Sequence, residues 1–219
     1  MTTPTEPQGL ALRIAEDIRL SVVAGEIRAG QRLSEAKLCT QLEVSRNTLR
    51  EAFRILVAEG LLIHEPNKGV SVTVPTMATV IDIYRVRRLL ECQALRQAYA
   101  GHPASSRIHQ AVQRAQEAQA RQDWPSVGTA NMAFHKAIVE LADSPRLNLL
   151  FERILAELRL AFGLLQSPEL LHAPYVSMNQ RILALYDAGD MAAAAQELDS
   201  YLSHSERVLL AHLGELQTR

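Results

Sequence analysis

The segment VSRNTLREAFRILVAEG, residues 44–60, places arginines four residues apart at positions 46, 50 and 54. At about 100° per residue, these arginines and Asn47 share one face of a helix. The apolar positions fall together on the other face: Leu49, Ala52, Phe53 and Leu56. Ser45 is a good N-cap, and Gly60 is a typical helix stop. The segment is therefore predicted to form a short amphipathic helix with a polar, basic leading edge.

A second short helix is predicted immediately before this one. Ser34 is suited to cap the segment EAKLCTQL, whose apolar residues form a short stripe: Ala36, Leu38 and Leu42. Only the tripeptide Glu-Val-Ser separates this segment from the arginine helix. Two short helices joined by a tight turn are typical of a helix-turn-helix. The preceding segment LALRIAEDIRLSVVAGEI is predicted to be the helix that packs behind the pair.

A hairpin is predicted directly after the arginine helix. The segment LLIHEPNKGVSVTV, residues 61–74, indicates two strands around a Pro-Asn-Lys-Gly turn, with Val70, Val72 and Val74 alternating in the second strand. Lys68 and Gly69 lie at the tip of this turn. A hairpin in this position is the wing of a winged helix-turn-helix, whose tip commonly contacts the phosphate backbone or the minor groove of DNA.

Composition and charge restrict the remaining possibilities. The chain has 219 residues, of which 47% are hydrophobic, and its net charge is −1. An ordinary globular protein is expected, and the absence of a general basic bias means that any DNA binding depends on a few placed arginines. The first residues have no signal-peptide pattern, no segment is long and apolar enough to span a membrane, and only two cysteines occur. These features predict a cytoplasmic protein that does not bind membranes.

The segment IRAGQRLSEAKLCTQLEVSRNTLREAFRILVAEGLLIHEPNKGVSV, residues 27–72, resembles the DNA-binding domain of GntR-type bacterial transcription regulators. The marks are the Ala-Gly before Leu33, the motif VSRNTLREA, the pattern L-x-x-EGL and the wing glycine. Asn47-Thr48 departs from the Thr-Pro of many relatives and resembles instead the Thr-Thr of the fatty-acid-responsive FadR branch. That departure changes the edge that reads bases, so operators of relatives do not transfer to this chain.

Candidate DNA contacts follow from the chemistry of the duplex. Arginine presents a planar fork that matches guanine in the major groove, so Arg46 and Arg50 are the predicted base readers. The other candidates are suited to phosphate or, for asparagine, to either role: Ser45, Asn47, Thr48, Lys68 and Gly69. Arg54 is predicted to face the DNA backbone or to pair within the protein. Glu51 either orients a neighbouring arginine or is an ordinary solvated acid.

The rest of the chain is predicted to be helical, in about six segments: 79–100, 104–122, 126–142, 145–166, 174–188 and 190–214. Each keeps an apolar stripe, which predicts an antiparallel helical bundle. The motifs IYRVRRLLE, NMAFHKAIVELADSP and NQRILALYDAGDMAAAAQELDSYL make this half resemble the FCD effector domain of FadR-like GntR regulators. The predicted organisation is mainly α: an arm at 1–8, the winged helix-turn-helix at 9–75, a linker at 76–78, and an effector-binding and dimerisation domain at 79–219.

The resemblance also implies a place where many relatives hold a divalent metal through one aspartate and three histidines. The matching positions here are Asn131, His135, Asn179 and Tyr201. Only His135 keeps a ligand of the family, and amides and phenols bind divalent ions weakly, so no metal or other cofactor is expected. Were a metal found, His135 and His204 would be its expected imidazole ligands.

Two interpretations of these polar positions remain. In the first, Asn131, His135, Asn179 and Tyr201 line a cavity and, with Arg87, bind an organic effector. In the second, they form a closed internal network in which Arg87 pairs with Glu91 one turn on. Four polar positions at one family site favour the pocket, and Arg87 favours a carboxylate as the ligand.

The function classes can be separated by motifs. No phosphate-binding glycine loop, Cys-x-x-Cys, His-Glu-x-x-His or nucleophile elbow occurs, so the chain is not expected to be an enzyme. We predict a sequence-specific DNA-binding transcription regulator, a repressor that binds a palindromic operator as a homodimer and responds to a small-molecule effector. The alternative is a helical adaptor, or a constitutive DNA-binding protein whose second domain only dimerises.

Overall fold

The computed structural model describes residues 7–165 and 168–217. Its N-terminal part contains helices and three short strands in this order: α1 (Pro7–Ala24), β1 (Arg32–Leu33), α2 (Glu35–Gln41), α3 (Arg46–Ala58), β2 (Leu62–Glu65) and β3 (Gly69–Val72). The predicted arm falls mostly on residues 1–6, which lie outside the described residues. Pro7 and Gln8 belong to α1 and not to the predicted arm.

Helices α2 and α3 form the predicted helix-turn-helix, and both begin at the predicted serine caps. The Ser34 hydroxyl accepts the Lys37 N–H at 3.4 Å, and the Ser45 hydroxyl accepts the Thr48 N–H at 3.2 Å. Such caps satisfy backbone donors that have no partner within the helix. The apolar face of α3 is buried against one face of α1, with these residues in the shared core: Ile14, Ile18, Val22, Leu49, Ala52, Phe53 and Leu56.

The three strands form one antiparallel sheet in the order β1-β3-β2. Ser71 pairs with Arg32 on one side and with Ile63 on the other, while Val70 and Val72 point into the core. Strand β1 was not predicted, because two residues are too few to show an alternating pattern. Val74 was predicted to continue the buried alternation, but β3 ends at Val72, and Val74 is 50% exposed.

The second part is helical. Its elements are α4 (Met77–Arg87), a π-helical turn (Arg88–Cys92), α5 (Gln93–Arg96), α6 (Ser105–Ala120), α7 (Trp124–Glu140), α8 (Pro145–Gly163), α9 (Pro168–Asp187) and α10 (Met191–Gln217). The expected start of α9 at residue 174 is wrong, since Pro174 lies inside the helix. Proline removes one backbone hydrogen bond there, and the burial of Tyr175 and Val176 beside it offsets that loss.

The two parts meet through α1 and α8. Ala156 and Leu160 of α8 pack into the core of the N-terminal part. The Arg153 guanidinium lies 3.2 Å from a carboxylate oxygen of Glu59, at the end of α3. Thr76 caps α4 through a capping box with Thr79, so most of the predicted linker 76–78 is already helical. No helix in the described ranges is both long and apolar enough to cross a membrane.

Candidate DNA-binding surface and buried polar cluster

The N-terminal edge of α3 presents the predicted polar residues to solvent. Ser45, Arg46, Asn47 and Arg50 are exposed, and Thr48 is half-buried. The hydroxyl groups of Ser45 and Thr48 lie 2.9 Å apart and orient each other. Because the apolar face of α3 is buried against α1, these polar side chains can only face outward. The structure therefore brings five of the seven predicted DNA contacts together on one edge.

The three arginines of α3 differ in their partners. The Nε of Arg50 lies 3.1 Å from a carboxylate oxygen of Glu35 on α2. Arg54 pairs with Glu51. For Arg54 this is the predicted pairing within the protein, and for Glu51 it is the predicted contact with a neighbouring arginine. Arg46 forms no ion pair within the described ranges. Sequence reasoning missed Glu35, because the pair joins residues of two helices that only the turn brings together.

The wing presents the remaining predicted contacts. Lys68 and Gly69 are exposed at its tip, where the Lys68 ammonium lies 3.0 Å from a carboxylate oxygen of Glu65. The turn needs left-handed backbone, with φ of 64° at Asn67 and 88° at Gly69, conformations that asparagine and glycine tolerate. Strand β1 adds an exposed residue beside the tip, Arg32, which sequence reasoning missed because β1 itself was not predicted.

The second predicted site is a buried polar cluster, which we define by these residues: Arg87, Glu91, Asn131, His135, Asn179 and Tyr201. It is built from α4 and the π-helical turn, α7, α9 and α10, and no member is more than 4% exposed. The structure thus brings together all five predicted effector-binding residues. It adds Glu91 as a full member, whereas the sequence indicated Glu91 only as a partner of Arg87.

Hydrogen bonds connect the members of the buried polar cluster from Asn179 through to Glu91. Asn179 Nδ2 donates to Asn131 Oδ1 at 2.7 Å, and Asn131 Nδ2 donates to the Tyr201 hydroxyl at 3.0 Å. The Tyr201 hydroxyl lies 3.0 Å from His135 Nε2. His135 Nδ1 and Arg87 Nε lie 2.5 Å and 2.6 Å from the two carboxylate oxygens of Glu91.

Burial and charge shift the pKa values of two members of the cluster, Glu91 and His135. Burial alone would raise the pKa of Glu91, but Arg87 and His135 outweigh it and hold that pKa below its ordinary value. Burial lowers the pKa of His135 despite the nearby Glu91 carboxylate, so the imidazole is neutral at pH 7. A neutral imidazole beside a carboxylate carries its proton on Nδ1, which leaves Nε2 as an acceptor. The Tyr201 hydroxyl thus has two acceptors within reach, His135 Nε2 at 3.0 Å and Asn131 Oδ1 at 3.1 Å.

This arrangement is the closed network of the second interpretation, with two exceptions. Arg87 Nη2 and Asn179 Oδ1 are buried and have no hydrogen-bond partner among the described residues. Buried polar groups without partners are uncommon and costly. The cluster therefore retains one free donor and one free acceptor, and it is at these two atoms that a ligand would gain hydrogen bonds.

The cluster does not fit the divalent metal that the family resemblance implies. Both nitrogens of His135 are already bonded, one to Glu91 and one to Tyr201. The amides of Asn131 and Asn179 bond to each other and are weak ligands for divalent ions. His204, the proposed replacement ligand, packs edge to face against Tyr175 with ring centroids 6.4 Å apart and forms no hydrogen bond to the cluster in the described part of the chain.

Comparisons with known proteins agree with both halves of the structure. Residues 10–72 match the profile of the gntR family of bacterial regulatory proteins, and residues 82–204 match that of the FCD domain. The chain is 42% identical over 74 residues to the Nta operon transcriptional regulator of Aminobacter aminovorans, covering 34% of this chain and 35% of that protein. It is 29% identical over 143 residues to the HTH-type transcriptional repressor RspR of Escherichia coli, covering 64% of this chain and 61% of that protein.

The chain thus spans between about a third and three fifths of the length of these curated relatives. A crystal structure of a GntR regulator from Rhodococcus sp. RHA1 is similar over nearly the whole chain, with 38% identity and a TM-score of 0.86. That similarity covers 92% of this chain and 97% of the other. With a winged helix-turn-helix followed by an FCD domain, the chain belongs to the GntR family of DNA-binding transcription regulators.

Proposed function

We propose that this regulator is a cytoplasmic repressor that binds a palindromic operator as a homodimer and releases it when a small carboxylate binds the buried polar cluster. The observation that carries the DNA-reading part is the exposed edge of α3. Arg46 stands there without an ion pair among the described residues, at the first position of a helix whose other face is buried. A free guanidinium at the start of such a helix is suited to reach guanine O6 and N7.

Arg50 has a second role in this proposal. The Arg50 side chain is 57% exposed, so breaking its ion pair with Glu35 costs little free energy. On DNA, Arg50 either breaks its ion pair with Glu35 and contacts a base, or keeps the ion pair and contributes less to base recognition. We therefore rank Arg46 above Arg50 as a base reader, while the sequence alone ranked them together.

Arg46→Ala is expected to weaken operator binding by about 1–3 kcal/mol and to relax base preference at one position of each half-site. Lys68→Ala is expected to weaken specific and non-specific DNA alike, since phosphate contacts carry no sequence information. Both effects are measured by fluorescence anisotropy at fixed salt, on the operator and on scrambled DNA. Arg114→Ala, which removes an exposed arginine of α6 in the second part of the chain, is the matched control. Unchanged operator affinity in Arg46→Ala contradicts the assignment.

The effector part of the proposal is supported by the two unpartnered atoms of the buried polar cluster. Arg87 Nη2 offers a charged N–H donor, and Asn179 Oδ1 offers an acceptor for a hydroxyl or a protonated group. A hydroxy acid carries both kinds of group, a carboxylate for Arg87 and a hydroxyl for Asn179. Since the cluster joins α4, α7, α9 and α10, a ligand there is placed to shift these helices relative to one another.

Asn179→Ala is expected to make operator release insensitive to effector while operator affinity stays the same. A thermal-shift screen of small hydroxy acids and their amides first identifies a ligand, and anisotropy then measures its effect on operator binding. For the wild type we expect a coupling of about 1–3 kcal/mol. Asn148→Ala, an asparagine on α8 outside the cluster, is the control. A normal effector response in Asn179→Ala contradicts the cluster as the site.

One observation favours the alternative function, in which the second domain only dimerises. Most of the polar groups of the cluster already bond to one another, and a satisfied network needs no ligand. The same screen separates the two functions. If ligands that stabilise the protein leave operator affinity unchanged, the chain is a constitutive DNA-binding protein.

The homodimer is proposed from the geometry of DNA recognition. One winged helix reads only a few base pairs, whereas two related by a twofold axis read a palindrome and add their binding energies. We expect a dimer at micromolar concentration by analytical ultracentrifugation and two chains per operator. A monomer that binds the operator with one chain per site contradicts this proposal.

A further inference from the structure

The cleft between the two domains contains a buried arginine that no carboxylate of the described residues neutralises. Arg159, on α8, is 8% exposed. Among the described residues, its guanidinium has a single hydrogen-bond partner, the carbonyl oxygen of Pro125, at 3.5 Å from Nη2. The other buried arginines in the same ranges are paired, Arg19 with two glutamates and Arg87 with Glu91. Within the part of the chain that the structure describes, Arg159 is thus a buried positive charge without a counter-charge.

Such a charge is costly unless an anion accompanies it. Burial lowers the pKa of Arg159, but a guanidinium does not lose its proton near neutral pH. Transferring an unpaired charge from water to the protein interior costs more free energy than most single interactions contribute. The position is therefore one where a bound anion would stabilise the fold.

His172 lies beside Arg159 and supplies a second group for an anion. Its side chain is 6% exposed, and its Nδ1 has no hydrogen-bond partner in the described part of the chain. Burial, together with the charge of Arg159, lowers the pKa of His172 to about 4, so the ring is neutral at pH 7. A neutral imidazole always carries one N–H, which can be donated to an oxyanion.

Glycines of both domains leave room for this guanidinium. A Cβ at Gly128, inside α7, would collide with Arg159 Nη1 and would lie 2.9 Å from His172 Nε2. A Cβ at Gly25, just after α1, would lie 3.0 Å from Arg159 Nη2. Glycine inside a helix costs about 1 kcal/mol relative to alanine. The space that it opens at position 128 is occupied by the guanidinium of Arg159 and the neutral imidazole of His172.

The cleft has room for more than an inorganic ion. Its volume is about 270 Å³, and apolar side chains from both domains line it beside the arginine, among them Val22, Ile27, Leu160 and Phe162. An inorganic oxyanion would leave these side chains in contact with water. An organic acid of a few carbons would cover them, since apolar surface gains by leaving water.

We propose that this cleft is a second ligand site, which binds a small organic carboxylate through Arg159 and His172 and packs its apolar part against the side chains of both domains. The site is separate from the buried polar cluster. Because the N-terminal domain contributes Val22, Gly25 and Ile27, while α8 and α9 contribute Arg159 and His172, the ligand binds only when the domains are together. Binding therefore stabilises this arrangement of the DNA-binding domain on the FCD domain.

The test uses the full chain and sodium butanoate as the probe. Binding is measured by calorimetry and by the fluorescence of Trp124, the single tryptophan of the sequence and the neighbour of Pro125. We expect saturable binding of butanoate and none of butanamide, which has nearly the same shape without the charge. No binding of butanoate, or equal binding of butanamide, overturns the proposal. Preference for inorganic phosphate over butanoate overturns the assignment to an organic carboxylate.

Variants locate the site. Arg159→Met keeps the length of the side chain and removes the charge, and we expect it to weaken butanoate binding roughly tenfold or more. Arg146→Met, an exposed arginine on the same helix, is the matched control and is expected to bind normally. His172→Phe keeps an aromatic ring and is expected to weaken binding several-fold, which provides a test if Arg159→Met does not fold. Unchanged affinity in the folded variants overturns the proposal.

Discussion

Glu91→Gln is expected to lower the free energy of unfolding by about 3–5 kcal/mol, although it changes the shape of the side chain very little. Glu91 is fully buried, and its carboxylate receives hydrogen bonds from both Arg87 and His135. The amide cannot neutralise Arg87, whose side chain is 1% exposed, so a buried charge is left without its partner. Urea unfolding followed by circular dichroism measures the change.

Glu197→Gln is the control for this experiment. It removes an ion pair with Arg181 in which the side chains are 30% and 57% exposed, and such pairs contribute less than about 1 kcal/mol. Equal losses in the two variants would contradict the view that burial makes the Glu91 pair important.

The Glu91 carboxylate makes the free energy of unfolding depend on pH. The pKa of Glu91 in the fold is below that of a glutamate in an unfolded chain, about 4.3. Its contribution is therefore fully present above that value and is lost as the pH falls through the lower, folded pKa. In Glu91→Gln this part of the acid destabilisation is expected to disappear.

Glu59→Ala is expected to lower the free energy of unfolding by about 3 kcal/mol. Glu59 ends the predicted recognition helix, and its side chain is only 7% exposed. One carboxylate oxygen lies 2.7 Å from Arg19 Nη2, and the other lies 3.2 Å from Arg153 Nε in the FCD domain. The substitution removes the main partner of a buried arginine and one polar contact between the domains, leaving Glu16 with Arg19.

Two further variants separate these contributions. Glu51→Ala lies on the same helix and removes an exposed pair with Arg54, so its effect should stay below about 1 kcal/mol. Arg153→Ala removes only the contact between the domains and is expected to cost less than Glu59→Ala, because Arg153 is 43% exposed. If Arg153→Ala costs as much as Glu59→Ala, the contact between the domains, and not Arg19, carries the effect.

Much of the DNA-binding half was predictable because its signals are local. A serine before each helix, the period of the apolar residues in 44–60 and the glycine after the helix all act within a few residues of the backbone that they shape. Strand β1 was not predictable, since its two residues gain their extended conformation only by pairing with β3. The ion pair of Arg50 with Glu35 was not predictable either, because it forms between two separate helices.

The buried polar cluster was predictable only in membership. Family motifs at residues 131, 135, 179 and 201 identified four positions of one site, yet they left open whether these side chains face a cavity or each other. The hydrogen bonds answer that question for all but Arg87 Nη2 and Asn179 Oδ1. The outcome depends on where α7, α9 and α10 lie relative to one another, to within the length of a hydrogen bond.

The sequence by itself determined the two domains and the helix-turn-helix with its basic edge, because periodicity and capping are properties of neighbouring residues. The polar identity of the second site was implied by the resemblance to the FCD domain. Tertiary structure decided which charges have partners on other helices. Glu35 and Glu59 each neutralise an arginine of another helix, and Glu91 bonds to His135 as well as to Arg87. In the described part of the chain, Arg159 meets glycine backbone and a neutral histidine instead of a carboxylate. Coulomb interaction and desolvation depend on distance and burial, and for residues far apart in the chain neither quantity is set by their order in the sequence.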